Sequence, residues 1–296
     1  MLVLTLLSLL HVTTADVTAL PTTSDQQRGF ETINGRVYYF SAARGLHPEV
    51  MVACNDLDME LAAFETESEF LDVSNYIRDT LLTETIQYWT SGLRVGYAWM
   101  WTSTNRRFDY NVTWAPNEPT EEGATLQACV KLQNGQLSDE SCGISANFIC
   151  EQRDCSSCSQ RNGFDLKDTV QINGRNYYFS TLTANTSGSM TSCGDIGMDP
   201  LGLETEEESI AIFAYVRDVL NTPKQFYHTS GLHVYQDWVW TATGKLFSYA
   251  NWCPGCPNQT DSAQSCVVLN DGNLKDLACN DVDRFICEQK DCPACP

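Results

Sequence analysis

Three Cys-x-x-Cys pairs, Cys155-x-x-Cys158, Cys253-x-x-Cys256 and Cys292-x-x-Cys295, are the first residues whose spacing could do chemistry. That spacing serves a redox centre, half of a zinc site or a small local disulfide. In an oxidising compartment the local bridge is the expectation. Its main competitor is a bond between chains through Cys292 or Cys295, which would give a disulfide-linked oligomer. His11, His47, His228 and His233 do not form a metal-ligand spacing, and none is expected to be catalytic. There is no Gly-Lys-Ser/Thr phosphate loop and no Gly-x-Ser-x-Gly elbow. The sequence thus offers no catalytic residues and points to binding rather than to an enzyme. Three sequences accept N-linked glycans: Asn111-Val112-Thr113, Asn185-Thr186-Ser187 and Asn258-Gln259-Thr260.

The rest of the chain must say where these groups work. Leu2 to Leu10 is an apolar run followed by Thr13 and Ala15, the pattern of a signal peptide over residues 1–15 that leaves Asp16 as the first mature residue. No later stretch approaches the ~18 consecutive apolar residues of a membrane span. Fourteen cysteines in 296 residues permit complete pairing outside a reducing compartment. The expectation is a secreted, extracellular glycoprotein. Its net charge of −20 excludes a general nucleic-acid binder, because a polyanion is repelled.

The chain repeats itself. Asn34-Gly35-Arg36 and Tyr38-Tyr39-Phe40 recur 139 residues on as Asn173-Gly174-Arg175 and Tyr177-Tyr178-Phe179. Cys54 maps to Cys193, Glu65-Thr66-Glu67 to Glu204-Thr205-Glu206, and Ser91-Gly92-Leu93 to Ser230-Gly231-Leu232 at the same offset. Past Trp101 and Trp240 the offset shortens to 137, so that Cys129, Cys142, Cys150 and Cys155 match Cys266, Cys279, Cys287 and Cys292. Copies this long are whole domains. The boundaries read as 29–153 and 164–290, with a Cys-containing linker at 154–163 and a Cys-Pro tail at 291–296. Within a copy, Arg36 to Phe40 reads as a strand and the segment after Cys54, with Leu57, Leu61 and Ala62, as one helix. Thr66 with Glu69 resembles a capping box for a second helix whose apolar face is Phe70, Val73, Ile77 and Leu81. From Tyr88 onward turn residues dominate, which suits an α+β domain with a loop-rich second half. Trp99, Trp101, Trp238 and Trp240 read as core, and Glu204 to Glu208 as a solvated helix start.

Taken in order, these motifs resemble the C-type lectin-like domain. The first copy carries Tyr88-Trp89-Thr90-Ser91-Gly92-Leu93, Trp99-Met100-Trp101, Trp114, Asn117-Glu118-Pro119-Thr120, Cys129, Asp139, Cys142 and Phe148-Ile149-Cys150. The second carries Tyr227-His228-Thr229-Ser230-Gly231-Leu232, Trp238-Val239-Trp240, Asn251-Trp252, Cys266, Asp276, Cys279 and Phe285-Ile286-Cys287. The resemblance implies two tandem C-type lectin-like domains of secreted invertebrate type. Each has two helices packed on small antiparallel sheets, a long loop region and two core disulfides. It pairs Cys54 with Cys150, Cys129 with Cys142, Cys193 with Cys287 and Cys266 with Cys279.

The family's long loop holds one calcium ion that also takes two sugar hydroxyls. The matching positions in the first copy are Glu118, Thr120, Gln127, Ser138 and Asp139, where only Glu118 and Asp139 keep a carboxylate. Calcium affinity follows ligand charge and number, so this implies a degenerate site, weak unless Glu121 or Glu122 replaces the missing acid. The second copy has Cys256-Pro257-Asn258, Gln264 and Lys275-Asp276, with an ammonium expected where the family puts the metal, and no calcium is expected there. The resemblance implies a recognition protein for carbohydrate or protein ligands, in innate immunity or adhesion. The alternative is an acidic structural matrix or mineral-associated protein, for which the acidity speaks.

Overall fold

The computed structural model describes residues 29–110, 112–120, 128–155, 168–258 and 264–292. The proposed signal segment, His11, Asn111, Glu121, Glu122, Gln127, Cys158 and Cys295 lie outside them, as does most of the linker and tail. Among the described residues no helix is long and apolar enough to cross a membrane.

Two sheets with the same strand order organise the chain, one in each half. The first half has β1 (Phe30–Ile33), β2 (Arg36–Phe40), β3 (Met59–Leu61), β4 (Tyr88–Val95), β5 (Ala98–Trp101), β6 (Arg106–Arg107), β7 (Ala128–Gln133), β8 (Gln136–Ser141) and β9 (Asn147–Gln152). The second half has β10 (Val170–Ile172), β11 (Arg175–Phe179), β12 (Asp199–Pro200), β13 (Tyr227–Val234), β14 (Asp237–Trp240), β15 (Lys245–Leu246), β16 (Gln264–Asn270), β17 (Asn273–Ala278) and β18 (Arg284–Glu288). In the first sheet the order is β1-β2-β9-β4-β5-β6, with β3 on β9, β7 on β4 and β8 on β7; the second repeats it element for element.

Among the described residues four helices cover these sheets: α1 (His47–Asn55) and α2 (Glu67–Tyr76) in the first half, α3 (Thr186–Asp195) and α4 (Glu206–Asp218) in the second. The first helix is not the segment after Cys54 but the one ending at it. Pro48 sits in its first turn, the Glu49 carboxylate accepts the Leu46 N–H at 2.8 Å, and the left-handed Asp58 (φ 56°) turns the chain into β3. Leu57 and Leu61 therefore belong to a turn and a strand. The second helix is as expected: the Thr66 hydroxyl accepts the Glu69 N–H, Phe70 and Val73 are buried, and the chain continues through a π-turn at Ile77–Leu81. Only half of the capping box forms, because the Glu69 carboxylate turns to Tyr38, Arg36 and the Glu65 N–H.

The four disulfides implied by the resemblance are present: Cys54–Cys150, Cys129–Cys142, Cys193–Cys287 and Cys266–Cys279. Of the three Cys-x-x-Cys pairs only Cys253–Cys256 is a local bridge. Cys155 bonds Cys292, 137 residues away, which corrects the expectation of local bridges and removes Cys292 as a link between chains. Closure over such a distance restricts the unfolded chain, a stabilisation of about 3–5 kcal/mol.

The two halves meet in a seam related by an approximate twofold. Helix α1 packs on β15, and its counterpart α3 on β6. Cys155 and Cys292 occupy equivalent positions of the repeat, so their bond lies on that axis. One apolar cluster runs through both halves, from Met51, Leu93 and Met100 to Met190, Leu232 and Val239. Polar groups follow: the Asn105 side-chain amide donates to Asp199 at 2.9 Å, Arg153 donates to Asn55 at 2.8 Å, and Arg106 pairs with Asp195.

The equivalent acids Glu60 and Asp199 sit in this seam, faced by Arg153 and Lys290. Burial outweighs those cations, pushing Glu60 up to about 8 and raising Asp199. A carboxylic acid held neutral in the fold contributes stability below its unfolded value, lost as pH rises through the folded one. The thermal midpoint should therefore fall between about pH 4.5 and about pH 8, and Glu60→Gln should flatten that slope. A Glu60→Gln slope as steep as the parent's would contradict the assignment. Peptide mapping without reduction should recover the Cys155–Cys292 cystine; recovery of Cys155 with Cys158 would overturn it.

Candidate ligand-binding site

The long loop of the first half is held from below by stacked rings. Trp101 and Phe108 stack with centroids 4.0 Å apart, and Trp114 packs on Trp99 at 5.2 Å. Trp101 is fully buried and Trp99 half-buried, so both serve the core as expected. The loop is then stitched to β8, since Leu137 donates to the Thr113 carbonyl and Ala115 to the Leu137 carbonyl, both at 2.8 Å. The left-handed Asn117 (φ 67°) and a cis Glu118–Pro119 peptide follow. Asp139, on β8, receives the Thr120 N–H at 2.8 Å and the Thr120 hydroxyl at 3.2 Å.

Glu118 lies beside this pair with its Oε2 buried and, among the described residues, without a hydrogen-bond partner. Partial burial, then the hydrogen bond and negative charge of Asp139, push the Glu118 carboxyl up to about 7. Of the sequence-predicted set the structure brings together Glu118, Thr120 and Asp139. Ser138 is not among them: neighbouring residues of a strand point to opposite faces, and Ser138 shares its face with Glu140, which pairs with Lys131 at 3.1 Å. Calcium takes six to eight oxygens, while among the described residues no group of three acidic, His or Cys side chains converges. These residues leave most of a calcium shell to solvent or ligand.

The second half reproduces the frame without the glutamate. Trp240 stacks on Phe247 at 3.8 Å, Leu274 donates to the Asn251 carbonyl at 2.7 Å and Cys253 to the Leu274 carbonyl at 2.9 Å, and Asp276 accepts the Asn258 N–H at 2.7 Å. Cys256 occupies the position of Glu118, in the local bridge to Cys253. Lys275 departs from expectation. Its ammonium lies 5.3 Å over the Phe226 ring, on the strand face opposite Asp276, so it does not occupy the loop. The side chain of Gln264 lies outside the described residues.

The histidines are structural where described. His47 is buried and donates from Nε2 to the Thr90 carbonyl at 2.9 Å, and burial lowers it to about 4, so it is neutral at physiological pH. At the equivalent positions the pair His47 and Trp89 becomes Thr186 and His228, again packed on each other. Asn185 caps α3, accepting the Gly188 N–H at 2.9 Å, and is itself half-buried while Thr186 and Ser187 are buried. The seam and its axial cystine escaped the motif reading. Their signal was present: Cys155 and Cys292 stand at the offset that relates the two copies.

The profile of the lectin C-type domain matches residues 201–289. "Salivary C-type lectin 2" of Aedes albopictus is 39% identical over 59 residues, covering 18% of this chain and 39% of that protein. "C-type lectin 16" of Aedes aegypti is 26% identical over 138 residues, covering 43% of this chain and 90% of its own. Among solved structures, the mouse scavenger receptor C-type lectin carbohydrate-recognition domain matches with 21% identity and a TM-score of 0.37, over 42% of this chain and 94% of its own.

Because the Asp139 charge helps hold the Glu118 proton, Asp139→Asn should lower the Glu118 midpoint toward the ordinary carboxylate range. Carbon-detected NMR titration of the Glu118 carboxyl measures it. An unchanged midpoint would mean that the two groups do not interact.

Proposed function

We propose that the protein is a secreted recognition protein of two tandem C-type lectin-like domains, residues 29–153 and 164–290, that binds carbohydrate or protein ligands through the long loop of the first. The observation that carries this reading is the buried Glu118 Oε2 beside Asp139, which has no hydrogen-bond partner among the described residues, since a strong acceptor held away from water needs a donor or a cation. A ligand hydroxyl, an amide N–H or a weakly held calcium ion meets that need. The profile match and the names of the relatives support a lectin class. Metal ligands are reduced to Glu118 and Asp139, and ligand release of the Glu118 proton makes any calcium uptake stronger above about pH 7. The second domain has Cys256 in place of the Glu and binds no calcium; it serves as a structural partner or takes another ligand. Neither domain is an enzyme.

A glycan and protein array, run with calcium and with chelator, tests the reading. The expected result is saturable retention of particular ligands that Glu118→Gln loses while the fold is kept. Normal retention by that variant would place the site elsewhere. Low-specificity, salt-sensitive adsorption to cationic or mineral surfaces alone would favour the matrix alternative, which the charge of −20 supports.

A further inference from the structure

The seam joins equivalent faces, yet its contacts pair unlike residues. Four contacts show it. Asn55 packs against Gly244, and a Cβ at that glycine would stand 3.0 Å from the Met51 carbonyl and 3.6 Å from the Asn55 Cβ. Across the axis Asn105 packs against Gly194, where a Cβ would meet the Asn105 carbonyl at 3.2 Å. Further out, Gly96 abuts the Asn280 amide and Gly143 the Tyr235 ring, and in both a Cβ would overlap its neighbour.

Under the repeat, Asn55 is equivalent to Gly194, Asn105 to Gly244, Gly96 to Tyr235 and Gly143 to Asn280. The first half is therefore large at the inner contacts and small at the outer ones, and the second half is the reverse. Pairing two first halves through this face would set Asn55 on Asn105 twice and Gly96 on Gly143 twice. The inner contacts would overlap and the outer ones would be empty, and interiors tolerate neither. Pairing two second halves would leave voids at Gly194 and Gly244 and press Tyr235 on Asn280. The charged contacts add to this asymmetry: Arg106 reaches Asp195 and the Gly194 carbonyl, whereas its counterpart Lys245 pairs with Glu204 of its own half.

We propose that this face is a self-excluding interface: each half accepts the other half of the same chain and rejects a copy of itself. The cystine between Cys155 and Cys292 holds the accepted partner in the same chain. Specificity of this kind needs an element that penalises the wrong partner as well as one that favours the right one, and the exchanged glycines supply both.

Full-length Gly244→Asn tests it without a backbone confound, because Asn105 holds the equivalent left-handed position at φ 60° against 71° for Gly244. Amide exchange of residues 102–105 and 241–244 should accelerate about tenfold or more, with residues of the outer cores unchanged. Adding Asn55→Gly recreates by symmetry the observed Asn105–Gly194 contact and should return exchange to within about threefold of the parent. An independent pair reads the outer contact: Gly143→Ala should loosen it and Tyr235→Gly added to it should restore it. Parental exchange in both single variants, or no recovery in either double variant, would overturn the proposal.

Discussion

A buried carboxylate in the last strand of each half is the constraint on which the rest of the structure depends. Glu151 has no solvent exposure, accepts the Ala63 N–H at 2.8 Å and takes the Arg36 guanidinium at 2.8 Å. Arg36 also binds Glu69 at 2.9 Å, and Tyr38 donates to the same carboxylate, so strand β2, helix α2 and strand β9 share one polar knot. In the second half Arg175, Glu208, Tyr177 and Glu288 repeat it, with the Gly202 N–H on Glu288 at 2.8 Å. A buried acid stripped of its guanidinium costs roughly 3–5 kcal/mol, so the knot is fixed in geometry rather than merely favourable. The adjoining Cys150 and Cys287 then bind that strand to the first helix.

From this fixed strand the loop-rich part of each half takes its position. Strand β9 runs parallel beside β4, and β4 carries β7 and β8, whose Leu137 and Asp139 secure the long loop. The same chain of supports exists in the second half with different chemistry at its end. A cystine stands where the first half has Glu118, and both halves keep the aspartate that receives the backbone N–H after the proline. Asp139 and Asp276 are therefore framework residues first, and Glu118 is the residue that separates the two loops in chemistry.

Much of this was legible in the sequence. The repeat located both halves, the family pattern paired eight cysteines, and Thr66 with Phe70 and Val73 marked a helix by capping and periodicity. What failed did so for physical reasons. Leu57 and Leu61 have helical spacing, but the left-handed Asp58 between them ends the helix, and the pattern of apolar residues carries no sign of backbone handedness. Lys275 was assigned to the loop by alignment with a neighbour that points the other way across a strand. Cys155 and Cys292 look local because their nearest cysteines in sequence are three residues off, whereas the fold brings their distant equivalents together. The exchanged glycines of the seam look like ordinary divergence until the contacts are laid across the axis.

The cystine on the axis also sets an order of events. A ribosome releases the chain from its N-terminus, so all of the first half exists before Cys292 has been made. During that interval Met51, Leu93 and the rest of the first half's seam face are bare, and neighbouring nascent chains on one message carry the same face. A face that matched itself would join such neighbours into dead-end pairs. Asn55 and Asn105 make it a poor match for its own kind, so the first half waits for the segment that follows it.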